Sequence, residues 1–136
     1  MKIRDIALRR IIDSRGNPTV EAEIKTKNGF GRAAAPAGAS TGTHEAVAWP
    51  DGSVSKGMKI AEEKIMPQLV GLPTEDQENF DRTLREIDGT DNFSKVGGNI
   101  SVALSLACAK AAADSKGIAL YEHIGKNDTY ALPAPM

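Results

Sequence analysis

The stretch TVEAEIKTKNGFGRAAA, residues 19–35, decides the fold. Its first half alternates between apolar and charged side chains, with Val20, Ala22 and Ile24 on one face and Glu21, Glu23 and Lys25 on the other. A period of two is typical of a half-buried strand, so we predict one from Thr19 to Thr26. The Asn28-Gly29 pair that follows favours a type I′ turn and a tight hairpin into a third strand over residues 31–35.

Residues 3–12 are rich in β-branched side chains and precede a turn-forming string, SRGNP, at residues 14–18. They predict a first strand that pairs with the second, giving a three-stranded antiparallel meander. The string GFGRAA at residues 29–34 also matches a dinucleotide-binding fingerprint. Pro36 would block the helix that such a site requires, so we predict no nucleotide site there.

After residue 52 the spacing of the apolar residues changes from that of a strand to that of a helix. Apolar residues over 58–69 fall at helical spacings behind Ser53 and Ser55, either of which can cap a first helix, and Pro67 is expected to kink or end it. Thr74 and Gln77 match a capping box for a second helix that carries Phe80, Leu84 and Ile87 on one stripe and ends at Asp88-Gly89.

A third helix is predicted from a cap at Asn99 to Lys116, with Gly117 as its stop, and a short further helix over residues 120–124. Strands come first and helices afterwards, without βαβ alternation. This order predicts an α+β fold, a three-stranded antiparallel β-meander followed by three to four helices.

Composition excludes several classes of partner. The formal net charge is −1, so no field of one sign favours nucleic acid or an anionic membrane. Residues 1–10 contain no apolar core of signal-peptide length, and no apolar run approaches the length of a membrane span, so we expect a cytoplasmic protein. The single Cys108 lies in an alanine-rich run and is interpreted as a small core residue.

Residues 36–45, PAGASTGTHE, have short side chains and lie between the sheet and the first helix. This pattern indicates a mobile loop in which Gly38 and Gly42 act as hinges and hydroxyl groups are available to a hard cation such as Mg²⁺. A plain surface loop has the same composition, so residues alone leave both interpretations open.

Three strings in order resemble enolase: DSRGNPTVE at residues 13–21, GASTG at 38–42 and HEA at 44–46. Asp88-Gly89-Thr90, Lys95, Gly97, Asn99 and the strings at 105–107, 120–121 and 132–135 extend the similarity over nearly the whole chain. The resemblance is to the amino-terminal domain of that family, which is itself a meander followed by helices. It implies that residues 1–131 form a capping domain and that 132–136 begin the linker to a catalytic barrel.

The sequence departs from the family pattern at a few positions. Ala37 stands where the family usually has Ser, and Pro50 stands where an Arg commonly precedes Asp-Gly. Residues 53–57 form a shorter segment than usual, and Gly98 and Ile100 replace alanines. None of these departures affects Ser40.

The resemblance implies the reversible dehydration of 2-phosphoglycerate to phosphoenolpyruvate with Mg²⁺ as cofactor. The acid, the base and the carboxylate metal ligands belong to the barrel, so it assigns no catalytic residue to this chain. It assigns a substrate lid and a metal ligand, Ser40, which binds a second Mg²⁺ on closure. The lid residues are Gly38, Ala39, Ser40, Thr41, Gly42 and His44, of which His44 has a structural interpretation as well.

The resemblance also implies a homo-oligomer, a dimer or higher, in which Arg9, Arg15 and Glu21 make ionic contacts with a neighbouring subunit. Solvated charge on a strand face is the alternative for these residues. Two other functions remain open at this point. One is a capping domain of another enolase-superfamily enzyme, and the other is a free-standing binding or oligomerisation module.

Overall fold

The computed structural model describes residues 1–36, 38, 40, 42–125 and 129–134. Three strands, β1 (Asp5–Ile12), β2 (Pro18–Lys25) and β3 (Phe30–Ala34), form an antiparallel sheet in the order β1-β2-β3. Arg9 pairs with Glu21 across β1 and β2, and Glu23 pairs with Arg32 across β2 and β3. The predicted meander is confirmed.

Five α-helical segments follow the sheet in the described residues, and the first two belong to one continuous helical run. They are α1 (Val54–Ile60), α2 (Met66–Leu69), α3 (Gln77–Asp88), α4 (Gly98–Lys116) and α5 (Leu120–Gly125), and a π-helical turn, Ala61–Ile65, joins α1 to α2. The α+β prediction is therefore confirmed. The predicted domain boundary after residue 131 stays a prediction.

The core lies between the sheet and the helices. One face of β2 supplies Val20, Ala22 and Ile24, none of which is exposed, and α4 packs against β2 and β3. Side chains from α4, the π-helical turn, α2 and α3 complete this layer, among them Ile65, Leu69, Phe80, Leu84, Ile100 and Leu104. Cys108 lies within it as predicted, and burial raises the pKa of its thiol to about 12.

The type I′ turn predicted between β2 and β3 is wrong. Neither Asn28 nor Gly29 has the positive φ that such a turn requires. Thr26 closes a longer loop instead, because its amide donates to the carbonyl of Gly29 at 2.8 Å and its hydroxyl accepts from the Gly29 amide at 2.8 Å. Glycine is needed here for a different reason: a β-carbon on Gly29 would lie 2.5 Å from the carbonyl oxygen of Ala111.

Two predicted helix caps are also wrong. The hydroxyl and amide of Thr74 both donate to the carbonyl of Met1, so Asp76 caps α3 instead by accepting from the Asn79 amide at 3.0 Å. The third predicted helix, α4, begins at Gly98, after Gly97 and without a side-chain cap. Asn99 therefore lies inside its first turn.

Other helix ends agree with the predictions. Ser53 caps α1 by accepting from the Lys56 amide at 3.2 Å. Gly89 and Gly117 end α3 and α4 in the left-handed conformation, with φ of 64° and 66°. Pro67 is expected from the sequence to kink or end the first helix. The helix widens into the π turn just before Pro67 and ends two residues after it, at Leu69.

Candidate functional site

The 36–45 segment leaves the sheet at the edge strand β3. The amide of Ala35 donates to the carbonyl of Val20 at 3.0 Å, and the buried hydroxyl of Thr19 donates to the carbonyl of Ala35 at 2.8 Å. These two bonds fix the point at which the segment begins. Because β3 is an edge strand, the residues that follow can move away from the sheet without breaking its ladder.

Four predicted lid residues are described, and all four are exposed: Gly38, Ser40, Gly42 and His44. Ala39 and Thr41, together with Ala37, lie outside the described residues. The Ser40 hydroxyl is thus on the surface, where a ligand can reach it. A cation would find a single hydroxyl oxygen there, which is a ligand type that Mg²⁺ accepts.

Among the described residues, one side chain from outside the segment hydrogen-bonds to it. Arg15, in the turn between β1 and β2, donates from Nη1 to the carbonyl oxygen of Gly38 at 3.1 Å. The same turn is fixed by Asp13, whose Oδ1 accepts from the amides of Arg15 and Asn17 at 2.9 and 2.8 Å. Those two backbone hydrogen bonds hold the pKa of the Asp13 carboxyl below its usual value.

The segment ends against the helices. The amide of Val47 donates to the carbonyl of Asn92 at 2.8 Å, and the Val47 carbonyl accepts from the Gly98 amide at 2.7 Å. The Ala48 carbonyl accepts from the Asn99 amide at 3.3 Å. The first amides of α4 are therefore satisfied by backbone carbonyls, which explains why Asn99 is not needed as a cap.

Asp88 organises the loop that receives this end of the segment. Its buried carboxylate accepts from the amides of Thr90, Lys95 and Val96 at 3.0, 3.1 and 2.8 Å, and from the Thr90 hydroxyl. The backbone of residues 89–96 thus folds around the Asp88 carboxylate, and Asn92 lies on the exposed side of this loop. The sequence indicated only a helix end at Asp88, since nothing local shows that its partners lie up to eight residues further on.

His44 lines an open cavity of about 370 Å³ between the segment and this loop. The other lining residues are Ala46, Arg85, Thr90, Asp91, Asn92 and Phe93. His44 is exposed at the rim, so both its structural and its substrate-contacting interpretations remain predictions.

The outer face of the sheet, opposite the helices, carries a network of charges. Arg9 pairs with Glu23 and lies 3.7 Å from a carboxylate oxygen of Glu21, and Arg32 lies 3.7 Å from the other oxygen of Glu21. The Arg9 hydrogen bond is the main reason that the pKa of Glu23 is lowered, and the same bond raises the pKa of Arg9. Arg9 and Glu21 thus have partners within the chain, and Arg15 lies apart from them, on Gly38.

Metal-ligating side chains are dispersed in the described part of the chain. No group of three or more His, Cys, Asp or Glu residues there is arranged to hold a metal ion. Ser40 on its own offers one neutral oxygen, whereas a magnesium site takes several oxygens with carboxylates among them. Ser40 alone therefore does not form such a site. In the same described residues, no helix has both the length and the apolarity needed to cross a membrane.

The meander, the helical layer on one of its faces and the exposed small-residue segment between them define a two-layer α+β domain. The sequence profile described as "Enolase, N-terminal domain" matches residues 3–124. The chain belongs to this family.

Curated relatives agree with that assignment. An enolase of Methanosphaera stadtmanae is 52% identical over 134 residues, which is 98% of this chain and 32% of the relative. An enolase of Methanothermobacter thermautotrophicus is 49% identical over 134 residues, 98% of this chain and 32% of the relative. An enolase of Thermoplasma acidophilum is 46% identical over 136 residues, 100% of this chain and 34% of the relative. The chain spans about a third of the length of these relatives.

Proposed function

We propose that this chain is the amino-terminal domain of an enolase, which reversibly dehydrates 2-phosphoglycerate to phosphoenolpyruvate. The observation that carries the proposal is the placement of Ser40. Its hydroxyl is exposed in the middle of a segment that is fixed at Ala35 and at Val47. A short polar segment fixed at both ends supports a lid, because its centre can move onto a ligand while its ends stay in place.

The reaction needs more than this chain supplies. Removing a weakly acidic proton beside a carboxylate builds up negative charge, which Mg²⁺ stabilises when it is bound. In this proposal the base, the acid and the carboxylate ligands come from the remaining two thirds of an enolase-length protein. Ser40 provides one further oxygen to a second Mg²⁺, and Gly38 and Gly42 allow the backbone around it to approach the substrate phosphate.

His44 and the loop around Asp88 form the back of the lid in this proposal. The loop is held by a buried charge, so it offers a fixed surface against which the segment can close. The side chain of His44 lies on that side and either orients the segment or reaches the substrate. These are positioning roles, and the bond-breaking steps are left to groups outside the chain.

Oligomer contacts and location complete the proposal. The outer face of the sheet carries Arg9 and Glu21, which support a contact with a neighbouring subunit through charge pairs. A homo-oligomer, dimer or higher, in the cytoplasm is the arrangement we propose for the whole enzyme. No nucleic acid or membrane partner is part of it.

The proposal is tested with the full-length protein that carries this chain. Formation of the enolpyruvate product from 2-phosphoglycerate is followed by its ultraviolet absorbance in excess Mg²⁺, beside the isolated 136-residue chain at the same concentration. We expect turnover by the full-length protein and none by the isolated chain. A full-length protein that leaves 2-phosphoglycerate unchanged but removes a proton from another carboxylate substrate would point instead to a different enolase-superfamily enzyme.

A further inference from the structure

We propose that Arg15 is a positioning residue that sets where the 36–45 segment lies, by holding the carbonyl of Gly38. The donor, Nη1 of Arg15, lies 3.1 Å from the Gly38 oxygen, and the two residues are 23 positions apart in the sequence. The bond therefore joins the turn between β1 and β2 to the segment that precedes Ser40. A guanidinium is suited to this because it is always charged and presents several donors in a fixed plane.

The donor is presented by a turn that is itself well fixed. The Asp13 carboxylate accepts from two amides of the turn, and the backbone of Asp13 both donates to the carbonyl of Asn17 at 2.8 Å and accepts from the Gly16 amide at 3.1 Å. Gly16 has a φ of 82°, which the turn requires and which other residues adopt only with strain. The Cα of Arg15 therefore has a defined position, and only its side chain needs to be ordered to make the bond.

The acceptor lies in a span that has few other attachments. Between Ala35 and Val47, which are both held by backbone hydrogen bonds, lie residues 36–46. Within the described part of that span, the Arg15–Gly38 bond is the only hydrogen bond to another described part of the chain, since the bond from Glu45 to Gly42 is local. One bond near the start of a free span shortens the length that must be ordered when the rest of it binds a ligand.

The consequence for catalysis rests on the lid proposed above. Ser40 follows Gly38 by two residues, so a fixed Gly38 limits the positions that the Ser40 hydroxyl can take. Arg15 would then act through Gly38 on the placement of the metal ligand, without touching substrate or metal itself. This role differs from the subunit contact that the family resemblance implies for the same residue, and the two are separable by experiment.

The direct test uses the 136-residue chain and backbone ¹⁵N relaxation at the amides of Gly38 and Ser40. Arg15→Ala and Arg15→Lys are compared with the wild type and with Arg10→Ala, a matched removal of an exposed arginine on β1. We expect an order parameter near 0.8 at Gly38 in the wild type and in Arg10→Ala, a fall below about 0.6 in Arg15→Ala, and an intermediate value in Arg15→Lys, with lower values at Ser40 that change in the same order. Values that are equal in all four proteins would overturn the proposal.

A second measurement separates this inference from the lid function and from subunit association. In the full-length protein, Arg15→Ala should raise the Mg²⁺ concentration for half-maximal activity by about 2- to 12-fold, the range set by one hydrogen bond, while sedimentation shows the same oligomer as the wild type. Lost order at Gly38 with unchanged Mg²⁺ dependence would refute the lid and leave the positioning role. Altered sedimentation with unchanged order would refute the positioning role and favour a subunit contact.

Discussion

Gly31 of β3 lies so close to Ala107 of α4 that a β-carbon on Gly31 would overlap the Ala107 carbonyl oxygen. The adjacent helical turn repeats the contact, because Gly29 lies against Ala111 and Ser115 in the same way. Glycines in and just before β3, together with small residues on α4, bring the two backbones together. The fingerprint-like GFGRAA string is thus explained by packing, and no nucleotide is needed to account for it.

Gly31→Ala should destabilise the domain by about 1–3 kcal/mol, because the added methyl group must displace backbone atoms of α4 that cannot rotate away. Urea unfolding followed by circular dichroism measures this. Ala34→Ser on the same strand is the control, because residue 34 is exposed and the change should stay within about 0.5 kcal/mol. Equal midpoints for the two variants would show that the helix can move aside.

Asp88→Ala should lower the free energy of unfolding by at least about 3 kcal/mol, because the amides of Lys95 and Val96 would lose their acceptor. Heat and urea unfolding give the size of the effect. Asp91→Ala removes an exposed carboxylate from the same loop and should have little effect. A variant at position 88 as stable as the one at 91 would mean that water replaces the carboxylate.

Stability should fall in acid as the carboxylates of Asp13 and Glu23 become protonated. The pKa of each is lower in the folded protein than its usual value, which is 3.8 for Asp13 and 4.5 for Glu23. The stabilisation is therefore fully present above the usual values and is lost as the pH falls through the lower, folded-state values. Urea midpoints recorded from neutral pH down to about pH 3 should show this loss, and Glu23→Gln should show a shallower one. Parallel curves for wild type and variant would contradict the assignment to Glu23.

Ser40→Ala should impair turnover in the full-length protein while leaving its stability unchanged, because the hydroxyl is exposed and contributes nothing to the core. We expect kcat to fall by about 10- to 100-fold, as for removal of a group that supports a metal site. Ser55→Ala, at an exposed position on α1, is the matched control. A lower melting temperature with an unchanged kcat would reverse the assignment.

Local patterns in the sequence were sufficient to predict the three strands, the helices and the left-handed glycines that end α3 and α4. They failed where a residue has a partner far away in the chain. Thr74 has the spacing of a cap, but its hydroxyl donates to the carbonyl of Met1. At the start of α4, the amides of Gly98 and of Asn99 itself already donate to the carbonyls of Val47 and Ala48. No local rule contains those contacts.

The candidate site also combines residues that the sequence indicated with contacts that it did not. Composition and the family resemblance indicated residues 38–44, and the structure exposes every one of them that it describes. The surroundings that hold the segment were not predicted, because Arg15 and Gly38 are 23 residues apart and the partners of Asp88 lie in the loop after its own helix. Such contacts arise only once the chain has folded.

The start of the chain is held by residues synthesised much later. The amide of Ile3 donates to the carbonyl of Leu72 at 2.9 Å, the Gly71 amide donates to the carbonyl of Ile3 at 2.9 Å, and the Thr74 amide donates to the carbonyl of Met1 at 2.8 Å. During translation the partners of residues 1–3 are made only after roughly seventy further residues have emerged. Closing so long a loop is slow compared with forming the β1–β2 hairpin. On the ribosome the β1–β2 hairpin should therefore pair before residues 1–3 are held, so slow codons between the hairpin and residue 74 would lengthen the time for which Ile3 is exposed to chaperones and proteases.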